Sequence, residues 1–412
     1  MMLVNSEQCS YAYPDNVAVI GGGRWARVLT EVLCDLVPVG VKLSVHSPRN
    51  SKSMMTWVSE RGLEKRISVS SSLPRFPSDA SNAIIVANAA RDHENSVEWA
   101  LTQGYPVLVE KPVCLNLDAA QRLASLALAR KVYLATAHVF LFARYIEAFS
   151  KLVTDENKIV SIRVLWMDPQ SESRHGEVKS YDPGLPVYAD WLPHVVSILG
   201  TFVIGTDLLC ERLDFLKGGA HLKINLIYGQ IPCDIELVRN GNSRQRVIEV
   251  VTEQKKMTLD FGKEPGTIYS DATPLSPDND WSVQPRPVAK MLATFLQGAA
   301  GGSRDSRLDM SIGLSASHVI SQTDPLYQSA LLSWLSNEFV MKQNGINSEL
   351  RYALVEILQT QDTYSSVPME QRIGYLYKHI KELVMASNSE QASCTADVIN
   401  LIIKQGKTSS YL

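Results

Sequence analysis

The sequence predicts an α/β fold class in three parts: an N-terminal doubly wound parallel sheet, an α+β domain with a largely antiparallel open sheet, and a helical tail. Short β-branched runs alternate with helical stretches in the first third of the chain. Alternating strand patterns follow after about residue 155, and only helical spacing of apolar residues remains after Leu335. With 412 residues, the chain is long enough for more than one core. We therefore expect domains at 1–137, 138–335 and 336–412.

In the first domain, a predicted strand at 17–20 is followed by a glycine-rich turn and a helix at 25–36. Short apolar strands separated by helices predict a parallel sheet that is covered on both faces. The other elements predicted here are strands at 42–46, 83–87, 106–109 and 132–136 and a helix at 117–129.

The second domain is predicted from strands in which apolar residues alternate with polar ones. Asn240-Gly241 is a turn dipeptide between two of these strands and predicts a β-hairpin. A loop and a helix at 168–199 are expected to interrupt the sheet. The strands are predicted at 158–166, 208–215, 221–228, 233–239, 246–251 and 257–261, and the later helices at 288–297, 350–358, 371–385 and 396–403.

Composition and charge exclude several classes of protein. The net charge is −3 and no basic block is present, so we expect no nucleic-acid partner. The six cysteines show no C-x-x-C spacing, which argues against a metal site and against a disulfide framework. No apolar run approaches the ~20 residues of a membrane helix, and the N-terminus lacks the basic region of a signal peptide. We therefore expect a cytoplasmic protein with no membrane partner.

A candidate cofactor site lies in the run from Gly21 to Ala26, which directly follows the first strand and opens the first helix. The run fits G-x-G-x-x-[GA] through Gly21, Gly23 and Ala26, and it includes Arg24 and Trp25. Small residues at these positions permit a tight turn, the approach of a pyrophosphate and close packing of helix on strand. N–H groups at the helix start can then bind the phosphates of a dinucleotide. The alternative is a glycine-rich turn without a ligand.

Cofactor choice depends on the end of the second strand, where an NAD enzyme usually carries an acidic residue. This sequence has Ser47, Arg49 and Ser51 there, and no acid. Hydroxyl and guanidinium groups bind a 2′-phosphate, which a carboxylate would repel. The segment predicts NADP(H) rather than NAD(H), and a solvated basic loop is the alternative.

Glu110-Lys111-Pro112 ends another predicted strand. Ligands of a doubly wound sheet bind outside the carboxyl ends of its strands, so this position directs Lys111 towards a bound cofactor. The alternative is an ordinary surface lysine.

Over about residues 15–335 the chain resembles the Gfo/Idh/MocA family of Rossmann-fold oxidoreductases, which is named after glucose–fructose oxidoreductase, inositol dehydrogenase and a rhizopine-catabolism protein. The resemblance depends on the order and spacing of short motifs. These are the glycine-rich turn, His93 after the fourth strand, Glu110-Lys111-Pro112, Asp190-x-x-x-His194 and the strand patterns at 246–250 and 257–261.

The resemblance implies roles for single residues. Lys111 becomes a substrate-orienting group and a candidate proton donor, His194 the principal acid/base and Asp190 its neighbour. Asn88-Ala89-Ala90 replaces the family's Thr-Pro-Asn, although Asn88 can still hydrogen-bond a nicotinamide ribose. The candidate cofactor-binding residues are Gly21, Gly23, Arg24, Trp25, Ala26, Ser47, Arg49, Asn88, His93, Glu110 and Lys111.

Spacing supports the pairing of Asp190 with His194, because positions i and i+4 face the same side of a helix. Histidine titrates near neutral pH and suits proton transfer. Pro193 is acceptable only in the first turn of that helix, where its missing N–H costs nothing. A structural histidine is the alternative.

Candidate substrate contacts are His138, Arg144, Tyr188 and Trp191. His138 and Arg144 lie in a stretch that often contributes an aromatic residue and an arginine in the family. Tyr188 and Trp191 indicate either an aromatic pocket or a packed core, and the sequence leaves both open.

Together these features predict an NADP(H)-dependent oxidoreductase that transfers a hydride between nicotinamide C4 and a carbonyl, carbinol or imine carbon of a small molecule. The resemblance implies sugars or cyclitols as substrates and a homo-oligomer of two or four chains, whereas the aromatic residues favour a less polar biosynthetic intermediate. The alternative is a cofactor-binding regulatory or scaffold protein without turnover.

Overall fold

The computed structural model describes residues 13–156, 158–174, 177–178, 181–203, 205, 207–275, 281–282, 285–341, 345–361 and 365–386. The chain divides into two compact units, each with a large sheet of its own. Unit 1 contains Met1–Ala143 and Asp280–Leu314, and unit 2 contains Arg144–Asn279 and Ser315–Leu412.

Unit 1 contains a six-stranded parallel sheet. Its strands are β1 (Asn16–Ile20), β2 (Lys42–His46), β3 (Ile67–Ser70), β4 (Asn82–Val86), β5 (Val107–Glu110) and β6 (Leu134–Ala137), and its first helices are α1 (Arg24–Leu36), α2 (Ser51–Glu60), α3 (His93–Thr102) and α4 (Leu117–Arg130). The spatial order is β3-β2-β1-β4-β5-β6, so the strand order reverses between β1 and β4. A dinucleotide binds at this reversal in Rossmann folds.

Helices cover both faces of the parallel sheet. Leu29 of α1 and Met54 of α2 belong to the core on one face, together with Phe295 of a later helix, α7 (Pro287–Ala299). Leu101 of α3 and Leu123 of α4 belong to the core on the other face. The predicted doubly wound sheet is confirmed. The sequence does not predict β3, because its two serines weaken the apolar pattern.

Unit 2 contains an eight-stranded sheet of order β10-β11-β12-β7-β13-β14-β15-β16 and a two-stranded sheet. The elements are α5 (Arg144–Thr154), β7 (Ile159–Pro169), β8 (Ser173–Arg174), β9 (Glu177–Val178), α6 (Val187–Leu199), β10 (Leu208–Leu216), β11 (His221–Tyr228), β12 (Ile231–Gly241), β13 (Gln245–Thr252), β14 (Lys256–Asp260), β15 (Thr267–Ser270) and β16 (Thr273–Pro274). Every neighbouring pair in the large sheet is antiparallel except β12 with β7. The predicted, largely antiparallel sheet is confirmed.

The hairpin predicted at Asn240-Gly241 is wrong. Strand β12 pairs with β7 in parallel, and β13 pairs with the other edge of β7. The chain therefore crosses over β7 between the two strands that the hairpin would have joined. Asn240 does adopt a left-handed conformation with φ 60°. A turn dipeptide specifies this local bend but not the pairing of the strands on either side of it. Both strands pair with β7, which lies about 70 residues earlier in the chain.

Helix α6 also differs from the prediction. Pro193 does not lie in its first turn, because the helix begins at Val187, directly after Pro186. Pro193 therefore removes the helical hydrogen bond that would end on the carbonyl of Ala189. The helix nevertheless continues through Pro193 to Leu199.

The helical tail is confirmed for the described residues. Helix α8 (Met310–Met341) leads into α9 (Ser348–Gln361) and α10 (Met369–Ala386). Leu350, Leu354 and Leu358 are buried at four-residue spacing along α9, so one face of this helix packs into unit 2. The helix predicted at 396–403 lies outside the described residues.

Candidate active site

The glycine-rich turn joins β1 to α1. Gly21 has φ +149°, and a Cβ added to it would lie 2.5 Å from the carbonyl oxygen of Ala87. A Cβ on Gly22 would lie 2.6 Å from Oγ of Ser47. The turn is thus packed between the residues that follow β2 and β4, and both positions need glycine for contacts within the protein.

Gly23 has a different environment. Within the described part of the chain, a Cβ on Gly23 would meet no heavy atom within 4 Å. Gly23 is the N-cap of α1 and, as a glycine, provides no side-chain cap, so the first N–H groups of the helix lack that acceptor. Ala26 in the next turn is fully buried. A pyrophosphate fits this space, because backbone donors and the positive end of the helix line it.

Trp25 and Glu110 connect α1 to the end of β5. The indole Nε1 of Trp25 donates to Oε1 of Glu110 at 2.6 Å, and the backbone N–H of Lys111 donates to Oε2 at 3.3 Å. Burial raises the pKa of Glu110 to about 7. Arg24, beside Trp25, is half-buried. Glu110 therefore holds the start of α1 beside the strand that carries Lys111.

The segment that follows β2 carries two of the predicted cofactor ligands, Ser47 and Arg49. Ser47 is buried, and its Oγ accepts the backbone N–H of Asn50 at 3.2 Å. The Arg49 side chain is about half exposed, and its Nη1 lies 2.9 Å from a carboxylate oxygen of Asp92. Asp92 follows β4, so an acidic group does lie beside this segment although the segment itself contains none.

Asn88 and His93 shape the loop after β4. The ring of His93 is buried, with Nδ1 2.7 Å from the carbonyl of Pro112 and Nε2 3.2 Å from that of Asn88. The Asn88 amide Nδ2 donates to Ser96 at 2.8 Å. Its Oδ1 is buried and has no hydrogen-bond partner among the described residues. A ribose hydroxyl of a bound dinucleotide would satisfy this acceptor, whereas His93 already contacts two backbone carbonyls.

Lys111 and His138 lie at the ends of neighbouring strands. Glu110 pairs with Ala137 in the sheet, so the two residues that follow them leave the same edge. Lys111 is half-buried and His138 is 1% exposed. Both ring nitrogens of His138 are without a hydrogen-bond partner among the described residues. Burial, and secondarily the Lys111 charge, lowers the pKa of His138 to about 3, so its imidazole is neutral.

In unit 2, Asp190 and His194 lie one turn apart on α6 and are both partly exposed. The His194 ring stacks on Trp166 of β7, with centroids 5.6 Å apart and planes within 5°. A carboxylate oxygen of Asp190 lies 3.1 Å from Nη2 of Arg239 on β12. Asp190 is therefore ion-paired, and the indole fixes the plane of the His194 ring.

The sequence left open whether Tyr188 and Trp191 form an aromatic pocket or a packed core. Both residues lie in the interior of unit 2. The Tyr188 hydroxyl donates to Asp324 of α8 at 2.5 Å, and burial raises the Tyr188 pKa well above its ordinary value. Trp191 is 5% exposed and lies 6.4 Å from Trp166 between ring centroids. Arg144, by contrast, is exposed at the start of α5.

Sequence reasoning missed two charged partners, Asp92 and Arg239. The sequence does contain a signal for Arg239, because Ile235, Leu237 and Arg239 occupy successive inward positions of a strand with alternating burial. A charged residue at such a position needs a buried partner. Asp92 left no comparable signal, since it lies in a polar loop.

The described residues contain no cluster of three or more His, Cys, Asp or Glu side chains that could hold a metal ion. The four cysteines among them, Cys34, Cys114, Cys210 and Cys233, are free. None of the helices described is both long and apolar enough to cross a membrane.

Comparison with protein families matches residues 16–138 to the model described as an oxidoreductase family with an NAD-binding Rossmann fold, Gfo/Idh/MocA. This segment contains the glycine-rich turn and Glu110-Lys111-Pro112. The predicted resemblance to the Gfo/Idh/MocA family is therefore confirmed for residues 16–138, as a match to an NAD-binding Rossmann fold. No curated protein matches the sequence.

Solved structures share the fold of this chain at low sequence identity. A UDP-N-acetylglucosamine 3-dehydrogenase from Acidithiobacillus ferrooxidans is 15% identical with a TM-score of 0.61, covering 77% of this chain and 98% of its own. A 3-ketoreductase from Actinomadura kijaniata, in complex with TDP-benzene and NADP, is 17% identical with a TM-score of 0.59, covering 75% and 96%. GenD2 from gentamicin A biosynthesis, in complex with NAD, is 18% identical with a TM-score of 0.60, covering 78% and 95%. About a quarter of this chain is therefore not covered by each of them.

Proposed function

We propose that this chain is an NADP(H)-dependent oxidoreductase that transfers a hydride to or from a carbonyl, carbinol or imine carbon of a small molecule. The observation that carries the proposal is the combination of the open space at Gly23 with the buried, unpartnered Oδ1 of Asn88. Backbone donors at a helix start suit a pyrophosphate, and the amide oxygen suits a ribose hydroxyl. When bound, the dinucleotide supplies or accepts the hydride at nicotinamide C4.

The side chains of this protein would provide binding and proton transfer. Lys111 would donate a hydrogen bond to the substrate oxygen or nitrogen, where negative charge develops during reduction. His194 would deliver or remove the proton, since a partly exposed imidazole on a fixed plane can change its protonation state. Asp190, ion-paired with Arg239, would supply a fixed negative charge one helical turn away. Either Lys111 or His194 remains a candidate for the proton donor.

Carbohydrates are the substrate class that the comparisons favour. The similar structures include a dehydrogenase of a UDP-linked sugar and a ketoreductase in complex with a TDP compound. We therefore propose a sugar, cyclitol or nucleotide-linked sugar as the substrate. The buried positions of Tyr188 and Trp191 weaken the argument for a less polar substrate, because both rings pack inside unit 2.

The cofactor, assembly and compartment are also proposals. NADP(H) is favoured by Ser47 and Arg49, while Asp92 beside Arg49 opposes a second negative charge. The similar structures include one in complex with NADP and one in complex with NAD. A homo-oligomer in the cytoplasm is expected from the resemblance, and light scattering of the purified protein would measure its mass.

Two measurements test the function. Titration with NADPH and NADH, followed by cofactor fluorescence, should show binding of NADPH that is tighter than that of NADH. A panel of sugars, cyclitols and nucleotide-linked sugars should then contain a substrate that changes absorbance at the nicotinamide band. Binding of neither cofactor would overturn the proposal. Cofactor binding with no turnover across the panel would instead favour a regulatory or scaffold protein.

A further inference from the structure

The turn between β10 and β11 is shaped to receive the C-terminal helices. Gly218 and Gly219 have φ values of +67° and +97°. A Cβ on Gly218 would overlap the backbone of Glu349 in α9, and a Cβ on Gly219 would lie 2.6 Å from the hydroxyl of Tyr327 in α8. Both glycines are therefore needed for close packing of this turn against α8 and α9, which makes the helices an integral part of unit 2.

Helix α9 contacts the ion pair of Asp190 through one hydroxyl. Arg239 is 3% exposed, and its Nη1 donates to the hydroxyl of Tyr352 on α9 at 3.2 Å. Its Nη2 donates to Asp190 at 3.1 Å, and both nitrogens lie 3.1 Å from the carbonyl oxygen of Leu185. The ring of Tyr181 lies 4.5 Å from the guanidinium carbon and covers its face.

These contacts couple Tyr352 to Asp190 mechanically. A guanidinium is rigid and planar, so partners at its two terminal nitrogens fix the orientation of the whole group. The Tyr352 hydroxyl holds Nη1, and Nη2 then presents its N–H to Asp190. Loss of the hydroxyl leaves Nη1 with the Leu185 carbonyl as its one acceptor among the described residues. The guanidinium is then held less tightly, and we expect the Asp190 carboxylate on α6 to shift with it.

Asp190 is the ion-pair partner of Arg239. Among the described residues, no other carboxylate lies within 4 Å of the Arg239 guanidinium nitrogens. A second acid, Glu356, is buried on α9 one turn after Tyr352. Its Oε1 accepts a hydrogen bond from the hydroxyl of Tyr327. Burial raises the pKa of Glu356 to about 7, so much of this acid is neutral near pH 7.

We propose that Tyr352 and Arg239 are positioning residues for Asp190, so that α9, in the C-terminal extension, completes the acid/base helix α6. This inference rests on the roles given above to Asp190 and His194. It assigns a function to a part of the chain for which neither the motifs nor the family model provides one.

The test compares two hydroxyl deletions in the full-length protein. Tyr352→Phe removes one of the acceptors of Arg239. Tyr375→Phe removes the hydroxyl of a residue on α10 that is 45% exposed, where it accepts from Gln371. Each is made alone and in an Asp190→Asn background. The readouts are the melting temperature, NADPH affinity, kcat and KM, and the titration of the His194 ring by NMR.

If the proposal is right, Tyr352→Phe keeps NADPH affinity within about twofold and lowers kcat roughly tenfold with little change in KM. It also moves the His194 titration midpoint by about half a pH unit, as expected for a displaced neighbouring charge. In the Asp190→Asn background, Tyr352→Phe should add nothing, because the group through which it acts is gone. Tyr375→Phe should match the wild-type protein throughout.

The proposal is overturned if Tyr352→Phe leaves the His194 midpoint unchanged, or if its effect is the same with and without Asp190. The second result would indicate a general structural role for Tyr352. The proposed function fails separately: if Lys111→Ala and Asp190→Asn both retain wild-type turnover, the assigned chemistry is wrong whatever Tyr352→Phe does. The NMR measurement needs no substrate, so it decides the positioning role even without turnover.

Discussion

The guanidinium of Arg49 lies 2.9 Å from the carboxylate of Asp92, in an ion pair between two loops at the dinucleotide-binding edge of unit 1. Arg49 follows β2 and Asp92 follows β4, so the two side chains come from opposite sides of β1. A 2′-phosphate bound by Arg49 would have to share this guanidinium with a carboxylate. We therefore expect cofactor preference to depend on both residues.

Arg49→Ala should weaken NADPH binding about tenfold more than NADH binding, since a charge-assisted hydrogen bond to the 2′-phosphate is lost. Asp92→Asn should change preference in the opposite direction, because it removes a repelling charge and frees the arginine. Fluorescence titration of both cofactors measures the ratio. Arg61→Ala is a control, since Arg61 is also exposed in unit 1 and paired with Glu31. Equal losses for NADPH and NADH in Arg49→Ala would contradict the assignment.

Lys111→Ala should lower kcat by roughly 10²-fold or more while NADPH affinity changes by less than about threefold. In the proposed mechanism the ammonium acts on charge that develops in the substrate, whereas the pyrophosphate would bind at the start of α1. Lys65→Ala, at an exposed position of the same unit, should retain full activity. Full activity of Lys111→Ala in steady-state assays would show that the active site has been placed incorrectly.

Gly22→Ala and Gly23→Ala should separate folding from cofactor binding. The Cβ of the first would lie 2.6 Å from Ser47, so we expect a lower melting temperature. The Cβ of the second would enter the open space, so its melting temperature should stay near the wild-type value while dinucleotide affinity falls about tenfold or more. Calorimetric titration and thermal melts of both variants measure this. An unchanged affinity in Gly23→Ala would mean that no pyrophosphate binds there.

Glu356 should make unfolding depend on pH. Burial raises its folded pKa from 4.5 to about 7, so the folded chain binds more protons than the unfolded chain between these values. The stabilisation is therefore complete below the unfolded pKa and is lost as pH rises through about 7, on the order of 3 kcal/mol in total. Urea unfolding at several pH values should show this fall in wild type, and a smaller one in Glu356→Gln. Glu382→Gln, exposed on α10, serves as the control. Identical pH dependence in Glu356→Gln and wild type would disprove the role of Glu356.

Local pattern was sufficient for most elements of the fold. The strand at 42–46 and the strand at 221–228 were predicted with the bounds that the structure has. In both strands the apolar residues alternate with polar ones in the pattern of a strand with one buried face. The residues of each strand are therefore sufficient to predict it. The prediction of a hairpin at Asn240-Gly241 was wrong because β7 lies between β12 and β13 in the sheet, and β7 is far away in sequence. No local signal distinguishes a turn to the next strand from a crossover.

Sequence alone determined the Rossmann domain, the glycine-rich turn at the start of α1 and the position of Lys111 at the end of a strand. These features depend on residues within one β–α–β unit, and short-range sterics and periodicity specify them. Only the tertiary structure decided that Arg49 pairs with Asp92 and that Tyr352 holds the arginine of Asp190. These partners are 43 to 113 residues apart in sequence, and their pairing follows from how strands and helices pack, which no local pattern encodes.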